Sequence, residues 1–293
     1  MSDPGSVPEL TEALRRGRYL ADRGLATAVF VALRLRRPLL LEGEVGVGKT
    51  EVAKVLAEVL GRRLIRLQCY EGIDTNQALY EWDYARQLLH IRAMSDRPAG
   101  QHAAEEVVEQ LFGPKFLLER PLLDAVRAGD RAVLLVDEVD RADDEFEAFL
   151  LEVLSDFQIS IPEVGTIAAE RPPLVVLTSN RTRELHDALK RRCMYHWIGY
   201  PAPAREVEIV LVREPGVAHE LAAKVVAAVN RLRQLDLAKP PGVAETIDWA
   251  RTLDFLGEHE LTAQAADLTL GAVVKERDDL ELVRGRLDEI TAT

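Results

Sequence analysis

A glycine-rich segment that ends in lysine and threonine contains residue types that are suited to binding phosphate groups. Residues 43–50 read Gly-Glu-Val-Gly-Val-Gly-Lys-Thr and match the pattern G-x-x-x-x-G-K-T. Glycines let the backbone turn tightly and present N–H groups to phosphate oxygens, and a following helix adds the positive end of its dipole. The segment predicts a nucleoside triphosphate site in which Lys49 reaches the β and γ phosphates and the Thr50 hydroxyl binds Mg²⁺. The predicted nucleotide-binding residues are Gly43, Glu44, Val45, Gly46, Val47, Gly48, Lys49, Thr50 and Glu51.

The flanking residues suit this type of site. Leu39–Leu41 is a short apolar run after Pro38, as expected for a buried parallel strand. Thr50–Leu60 has apolar residues at helical spacing and is followed by Gly61, a residue typical of helix C-termini. The loop is therefore predicted to join a strand to a helix, which is the context that phosphate binding requires.

A second candidate group is an acidic pair at the end of another predicted strand. The run Val133–Val136 is apolar and is followed by Asp137 and Glu138. An Asp at this position can hold Mg²⁺ opposite Thr50, and the neighbouring Glu138 can orient and deprotonate an attacking water. By itself such a pair also fits an ordinary acidic strand-to-loop junction. Its position downstream of a phosphate-binding loop favours the catalytic interpretation.

Two further sites carry candidate catalytic residues. Asn180 follows the apolar run Leu174–Ser179, where its amide could hold the same water or contact the γ-phosphate, although Asn after a strand also commonly forms turns. Leu189–Arg192 contains three consecutive cations near a helix end. They could compensate the helix dipole or present an arginine to a neighbouring subunit's γ-phosphate. The sequence does not separate Arg191 from Arg192 in that role.

The order of predicted elements indicates an α/β fold. Strands alternate with helices up to about residue 200, which predicts a parallel sheet flanked by helices, as in P-loop NTPases. Beyond Pro203 the pattern is entirely helical. We therefore predict an α/β nucleotide-binding domain over residues 1–202 and a C-terminal helical lid domain over residues 203–293.

Several local predictions accompany this division. The long connection between residues 70 and 128 is interpreted as an insertion, over about 70–112, or an elaborated helix, with its most mobile part near 96–101. The hydrophobic periodicity predicts a β-hairpin over 157–168 and single helices over 11–35, 116–128, 185–192, 204–212, 217–235, 243–256, 261–274 and 275–290.

Composition excludes several other classes of protein. The formal net charge of −12 argues against a nucleic-acid-binding surface as the main function. The longest near-apolar run, Leu25–Leu33, is too short to span a bilayer, and residues 1–10 lack the apolar core of a signal peptide. The two cysteines and six histidines show no metal-ligand spacing. We predict a cytoplasmic protein with reduced, buried thiols, no structural metal and no membrane insertion.

Taken together, these motifs resemble an AAA+ ATPase module, in particular the MoxR family and its CoxD-like group associated with carbon monoxide dehydrogenase maturation. The resemblance extends over about residues 10–290. The phosphate loop and the Asp-Glu pair are generic to many NTPases, whereas a Tyr-Glu-Gly and a Tyr-Glu-Trp-Asp-Tyr segment are more specific. The residues that suggest the subgroup are Leu39–Thr50, Gln68–Asp74, Leu79–Tyr84, Ala188–Tyr195 and Pro240–Trp249.

The resemblance implies a ring, commonly a hexamer, with ATP and Mg²⁺ bound between subunits. It assigns metal binding to Asp137, the catalytic water to Glu138, the first sensor to Asn180 and the trans finger to Arg192, with Arg191 second. Family members of this type often act as chaperones that remodel a partner enzyme or insert metal into it, together with a von Willebrand factor A-domain protein. The insertion and the hairpin would face the pore or the substrate.

One segment departs from the pattern of this family. Many relatives carry a Ser-Pro-Arg stretch in the lid whose arginine is the second sensor, but here the corresponding stretch, Gly242–Thr246, has no arginine. Arg251 could replace it, or the sensor could be absent. The sequence therefore does not indicate which residue, if any, couples the lid to the nucleotide.

Three alternative functions use the same phosphate-binding loop. A small-molecule kinase would need an acceptor pocket and a base for the acceptor hydroxyl, and the sequence marks neither. A nucleotide-dependent scaffold with little hydrolysis would not need Glu138. A DNA-remodelling ring is disfavoured by the net charge of −12.

Overall fold

The computed structural model describes residues 3–95 and 111–292. Its centre is a parallel sheet of five strands in the order β2-β5-β8-β1-β9. Every strand of this sheet therefore starts at one edge, the amino edge, and ends at the other, the carboxyl edge. The five strands are β1 (Leu39–Gly43), β2 (Arg63–Gln68), β5 (Ala132–Asp137), β8 (Leu174–Ser179) and β9 (Met194–Ile198). The predicted parallel α/β fold is confirmed.

Helices cover both faces of the sheet because its central strands are apolar on both sides. One face packs against α1 (Val7–Arg16), α2 (Arg23–Leu35) and α3 (Lys49–Leu60). The other face packs against α6 (Pro121–Ala128), α7 (Asp144–Asp156) and α8 (Asp187–Arg192). β1, β5 and β8 are thereby fully buried, and the residues that follow their last positions are held on a rigid base.

The N-terminal region forms two helices where the sequence predicted one over residues 11–35. α1 begins after Ser6 and ends at Gly17, and α2 begins after Asp22, whose side chain accepts a hydrogen bond from the backbone N–H of Leu25. The hydrophobic spacing of the two helices is similar because both bury one face in the same core. That similarity conceals the break, which Gly17 and Asp22 nevertheless mark.

The region between β2 and β5 contains short elements. It comprises α4 (Thr75–Ala78), β3 (Tyr80–Trp82), α5 (Tyr84–Ser95), β4 (Leu117–Glu119) and α6. The prediction of one helix over residues 116–128 is wrong, because residues 117–119 pair with β3 as an antiparallel strand and Pro121 begins the helix. The stretch predicted to be most mobile, residues 96–101, lies outside the described residues.

The predicted hairpin is present as β6 (Gln158–Ile161) and β7 (Gly165–Ala168), which pair in antiparallel register. It follows α7, which begins after Asp143, whose side chain accepts a hydrogen bond from the backbone N–H of Phe146. Its buried residues Ile159 and Ile161 join the core beneath α6 and α7. α8 starts two residues later than predicted, at Asp187.

The C-terminal part of the chain is helical and has its own hydrophobic core around Trp249. The predicted helix over 275–290 is interrupted at Gly285, and the helix predicted over 261–274 ends its α-helical part at Thr269. The division after residue 202 stays a prediction. The helices of this part are α9 (Pro203–Arg213), α10 (His219–Leu232), α11 (Val243–Phe255), α12 (Ala263–Thr269), α13 (Arg277–Arg284) and α14 (Leu287–Thr291).

Candidate active site

The glycine-rich loop joins β1 to α3 at the carboxyl edge of the sheet. Gly46 and Gly48 have φ angles of +76° and +91°, in the left-handed region that side chains strongly disfavour. These glycines let the loop turn back on itself, so that α3 begins directly at Lys49 with its N-terminus facing the loop. The arrangement is the anion-binding geometry that the sequence predicted for residues 43–51.

Lys49 lies against the loop that precedes it. Its ammonium group donates hydrogen bonds to the carbonyl oxygens of Gly43, at 2.8 Å, and Glu44, at 2.6 Å. Burial lowers the pKa of Lys49, and the carboxylates of Asp140, Glu44, Asp137 and Glu138 oppose that shift, with Asp140 the strongest. The lysine is therefore a nearly buried cation held where a phosphate would meet it.

The Asp137 carboxylate, at the end of β5, joins three elements of the fold. One oxygen, Oδ1, accepts hydrogen bonds from the hydroxyl groups of Thr50, at 2.9 Å, and Thr178, at 2.6 Å. The other oxygen, Oδ2, accepts hydrogen bonds from Arg66 on β2 through Nε, at 3.1 Å, and a terminal nitrogen, at 2.6 Å. The structure thus brings Thr50 and Asp137 together, as the sequence predicted, across 87 positions of the chain.

The oxygen atoms of this cluster fit a hard divalent cation. A buried carboxylate and a threonine hydroxyl in direct contact are the donor types that Mg²⁺ prefers, and Mg²⁺ usually adds nucleotide phosphates and waters to one or two such protein ligands. Thr50 and Asp137 are the residues that would hold it. Magnesium in this position would neutralise charge on the β and γ phosphates.

Glu138 follows Asp137 and has a left-handed backbone conformation, with φ of +54°. Its backbone N–H donates to the Thr178 hydroxyl at 2.9 Å, which fixes the turn. Its carboxylate accepts hydrogen bonds from Gln68 Nε2, at 3.2 Å, and from Arg141, at 3.1 Å. A non-glycine residue held in this strained conformation next to the candidate metal ligand Asp137 fits a functional position.

Asn180 follows β8, the strand beside β5, and its loop is tied to the Asp137 region by Asp140. Oδ2 of Asp140 accepts hydrogen bonds from the backbone N–H groups of Asn180, at 3.1 Å, and Thr182, at 2.8 Å, and from the Thr182 hydroxyl, at 2.8 Å. Asp140 itself is buried. The loop that carries the predicted first sensor is therefore fixed relative to Asp137 and Glu138.

An apolar cleft opens beside the glycine loop, between residues 18–20 and the helices α9 and α11. Its position suits the base and ribose of a nucleotide whose phosphates lie on the loop. Glu51 lies in its wall and forms an ion pair with Arg213 of α9 at 2.8 Å. Burial alone would raise the pKa of Glu51, but Arg213 and Lys54 lower it overall. Apolar side chains that line the cleft are Tyr19, Leu20, Val47, Ile209, Val243, Ala244 and Ile247.

The N-terminus of α11 contacts the glycine loop directly. The backbone N–H groups of Val243 and Ala244 donate to the Gly46 carbonyl oxygen at 3.0 and 3.2 Å. A Cβ atom on Gly242 would lie 2.7 Å from the Cα atom of Gly46, so the two backbones touch because both residues are glycine. The loop and the helical part of the chain are therefore joined through backbone atoms.

The residues considered for a second sensor lie away from this contact. Thr246 is buried, and its hydroxyl donates to Glu206, which also pairs with Arg233 at 2.7 Å. Arg251 pairs with Asp248 at 2.8 Å and Glu214 at 3.7 Å. Neither of these side chains lines the apolar cleft beside the glycine loop. Arg213 of α9 does line that cleft.

Arg191 and Arg192 lie in the last turn of α8, just before β9 starts, and thus at the amino edge of the sheet. Strands of five or six residues separate the two edges by roughly 16–20 Å. Arg37 donates hydrogen bonds to the carbonyl oxygens of Arg191, at 2.5 Å, and Arg192, at 3.1 Å. The two exposed arginines are therefore positioned away from the phosphate loop of their own chain.

The sequence did not predict a role at the site for five polar residues that surround Asp137 and Glu138. Gln68 lies in a segment that suggests the CoxD-like group, but no motif assigns any of the five a contact with these carboxylates. Three of them come from strands that only the sheet order brings beside Asp137. A role for Thr178 at the site could have been predicted, because it lies two residues before Asn180 at the end of an apolar strand. The missed residues are Arg66, Gln68, Asp140, Arg141 and Thr178.

Comparison with known proteins shows the family of this chain. Residues 38–193 match the AAA domain (dynein-related subfamily), and the chain belongs to that family. It is 27% identical over 225 residues to Protein NorQ of Paracoccus denitrificans, covering 74% of this chain and 73% of NorQ. It is 26% identical over 178 residues to Chaperone protein ClpB 2 of Synechocystis, covering 60% of this chain but only 16% of that chaperone.

A RuvB variant of Thermotoga maritima shares the fold, with a TM-score of 0.50 and 16% identity over 99% of this chain and 81% of the RuvB chain. Together, the fold and these relatives define an AAA+ P-loop ATPase, a class that binds ATP, and they support the resemblance to MoxR-type proteins. Within residues 3–95 and 111–292, no helix combines the length and the apolar character that a membrane crossing needs.

Proposed function

We propose that this protein hydrolyses ATP to ADP and phosphate, with Glu138 as the base for the attacking water. The observation that carries the proposal is the contact between Thr50 and Asp137, with Glu138 on the adjoining residue. Thr50 and Asp137 would hold Mg²⁺, Lys49 would bind the phosphates, and Asn180 would position the water or contact the γ-phosphate. This assignment makes the site a hydrolytic one, because a pure binder needs no carboxylate beside the metal ligand.

The proposed hydrolysis requires a second copy of the chain. Transition-state charge on a transferred phosphoryl group is commonly neutralised by an arginine, and Arg191 and Arg192 lie at the edge of the sheet opposite the loop. In a ring, which we take to be a hexamer, the amino edge of one subunit would face the carboxyl edge of the next. ATP would then bind between subunits. The helical lid, residues 203–293, would respond to nucleotide binding through its backbone contact with Gly46.

We further propose a chaperone role in the maturation of a metalloenzyme. Its support is the CoxD-like sequence pattern together with the similarity to NorQ and ClpB 2. The client would be a molybdenum-hydroxylase-type enzyme. A von Willebrand factor A-domain protein would be a second partner, and the complex would act in the cytoplasm. A protein client also suits the net charge of −12 better than a nucleic acid would.

The hydrolytic proposal is tested by phosphate release from the wild type and Glu138→Gln. We expect Glu138→Gln to lose about 100-fold or more of the turnover while it still binds ATP, because only the proton acceptor is removed. Glu184→Gln, at an 87% exposed side chain, is the control and should turn over normally. Equal and negligible rates for wild type and Glu138→Gln would favour a scaffold, and phosphate transfer to a metabolite would favour a kinase.

The chaperone proposal has a separate test. Glu138→Gln should hold ATP without hydrolysing it and so accumulate the client-bound state. Affinity purification of this variant in the presence of ATP should co-purify a von Willebrand factor A-domain protein and a metalloenzyme, whereas Lys49→Ala, which we expect to bind ATP poorly, should not. Recovery of neither protein with Glu138→Gln would contradict the chaperone proposal and leave hydrolysis unaffected.

A further inference from the structure

The Asp137 carboxylate already has a cation beside it. Arg66 donates two hydrogen bonds to Oδ2, at 2.6 and 3.1 Å, while Thr50 and Thr178 occupy Oδ1. Each of the two carboxylate oxygens therefore accepts two hydrogen bonds. With both oxygens occupied in this way, Asp137 cannot also bind a magnesium ion or a water of its hydration shell.

The strand pairing explains why Arg66 reaches Asp137. β2 and β5 are neighbours in register, with Gln68 opposite Asp137 and Arg66 opposite Leu135. Side chains two residues apart on one strand share a face of the sheet, so Arg66 and Gln68 lie on the face of Asp137. Arg66 is thus the diagonal cross-strand neighbour of Asp137, at a separation that a long side chain can bridge.

Arg66 is also the member of the pair that can move. β2 is an edge strand of the sheet, and the Arg66 side chain is 50% exposed while that of Asp137 is only 3% exposed. The terminal nitrogen of Arg66 that contacts Asp137 also donates to the Gln68 side chain. The arginine therefore has a second partner and open solvent beside it, whereas the buried carboxylate must keep a positive partner.

We propose that Arg66 is an internal counter-cation that competes with magnesium for Asp137. Resting on the proposed ATPase function, the inference is that Mg²⁺ with the nucleotide replaces Arg66 at Oδ2 and that the arginine withdraws toward Gln68 and solvent. The exchange avoids a buried, unpaired carboxylate in both states. The stability of the Arg66 contact then sets the magnesium concentration at which the site accepts a metal-bound nucleotide.

The test measures how much Mg²⁺ is needed for binding of a non-hydrolysable ATP analogue, by calorimetry across a magnesium series. We expect Arg66→Ala and Arg66→Gln to reach half-maximal binding at about three- to tenfold lower Mg²⁺ than wild type, since a charge-assisted contact with Asp137 no longer has to be broken. Arg127→Ala is the control. It removes the same charge from α6, which packs on β2, but Arg127 pairs with Glu119 at 2.7 Å and contacts neither Asp137 nor the amino-edge arginines.

A second readout shows whether the variants fold and whether the site exchanges cations as proposed. Without metal, Asp137 lacks its counter-cation in Arg66→Ala and Arg66→Gln, so the Tm in EDTA should fall. The gain in Tm on adding Mg²⁺ and the analogue should exceed that of wild type. A magnesium requirement that is unchanged or higher in both Arg66 variants, with native circular dichroism, would overturn the proposal.

Because the analogue is not hydrolysed, the magnesium dependence of its binding can be measured whether or not the protein hydrolyses ATP. A wild type that binds the analogue but releases no phosphate from ATP would overturn the ATPase proposal, and the Arg66 comparison would still be readable.

Discussion

The two edges of the parallel sheet differ in chemistry. The carboxyl edge carries Lys49, Asp137, Glu138 and Asn180, which together would bind a triphosphate and a metal ion and activate water. The amino edge carries arginines, and Arg191 and Arg192 among them are exposed. The arginines of the carboxyl edge, Arg66 and Arg141, are already paired with its carboxylates. The length of the strands keeps Arg191 and Arg192 away from that site within one chain. If the site hydrolyses ATP as proposed, an arginine finger would therefore have to come from another copy.

The arginines of the amino edge recur along the sheet. Each of the five parallel strands starts at, or within three residues after, an arginine, in a chain whose net charge is −12. Only three of these arginines form ion pairs with carboxylates of the described residues, namely Arg62 with Asp3, Arg63 with Asp124 and Arg171 with Asp130. The amino edge is therefore a local basic surface, which suits contact with a nucleotide-loaded edge of another copy. Its arginines are Arg36, Arg37, Arg62, Arg63, Arg131, Arg171, Arg191 and Arg192.

The largest effect on ATP binding should come from removing Lys49 from the carboxyl edge. Lys49→Ala should weaken ATP binding by about 100-fold or more, because a nearly buried, charge-assisted phosphate contact is lost. Equilibrium binding of a fluorescent ATP analogue measures it. Lys224→Ala, at a 38% exposed side chain paired with Glu260 outside the cleft, is the control and should bind normally. Similar affinities for both variants would contradict the role of Lys49.

The largest effect on turnover should come from removing the arginines of the amino edge. Arg192→Ala, or Arg191→Ala if that residue is the finger, should lower turnover by about 1,000-fold with ATP binding retained, as for arginine fingers in general. Lys190→Ala on the same helix, which removes a cation paired with Glu184 at 3.4 Å, is the control. The measurement is steady-state phosphate release per subunit over a series of protein concentrations.

Mixing tests whether the two edges act between copies. Lys49→Ala lacks the nucleotide site but keeps its arginines, and Arg192→Ala has the reverse defect. A mixture of these two inactive proteins should recover turnover, because one copy supplies the arginine and the other the nucleotide. Full activity of both arginine variants, at a rate per subunit independent of concentration, would exclude a finger acting in trans.

A smaller effect is expected at the contact between the glycine-rich loop and the N-terminus of α11. In Gly242→Ala the new Cβ would lie 2.7 Å from Gly46, so α11 must shift away from the loop. We expect a loss of about 1–3 kcal/mol in the free energy of unfolding, as for overpacked sites, and weaker ATP binding. Denaturant unfolding and nucleotide titration measure the two. Gly271→Ala, with open space around the site, is the control; equal behaviour of both variants would show that the contact is unimportant.

The smallest effect concerns the two thiols, one near each edge. Burial raises the pKa of Cys69, which follows β2, to about 12, with a further contribution from Asp137. Burial raises the pKa of Cys193, which precedes β9, to about 12 as well, against the opposing charge of Arg37. Only about one molecule in ten thousand would carry either thiolate at pH 8. Reaction with a thiol reagent should therefore be slow in native protein and rapid in denaturant.

The thiols also report on the edges separately. We expect nucleotide to slow the labelling of Cys69 more than that of Cys193, and self-association to slow Cys193 more. Mass spectrometry of labelled peptides distinguishes the two sites. Immediate labelling of both thiols in native protein at pH 8 would contradict their burial.

Much of the fold could be predicted because its signals are local. The turn chemistry of Gly46 and Gly48 and the apolar runs that became β1, β5 and β8 depend on neighbouring residues only. Two of the failures occurred where neighbouring helices have similar periodicity, whereas a third, at residues 117–119, missed a strand that pairs with β3. The break between α1 and α2, and the interruption of the last predicted helix at Gly285, lie between segments that bury the same type of apolar face.

Local sequence patterns are enough to predict the chemistry of the carboxyl edge, because the spacing of Gly43, Lys49 and Thr50 and the pair Asp137-Glu138 indicate phosphate and metal binding without reference to the rest of the chain. The residues that surround these groups depend on the tertiary structure. Sheet order placed Arg66 beside Asp137, and the direction of the strands placed Arg191 and Arg192 at the opposite edge. Strand order and register arise from packing between segments far apart in the chain, and short-range patterns do not encode that packing.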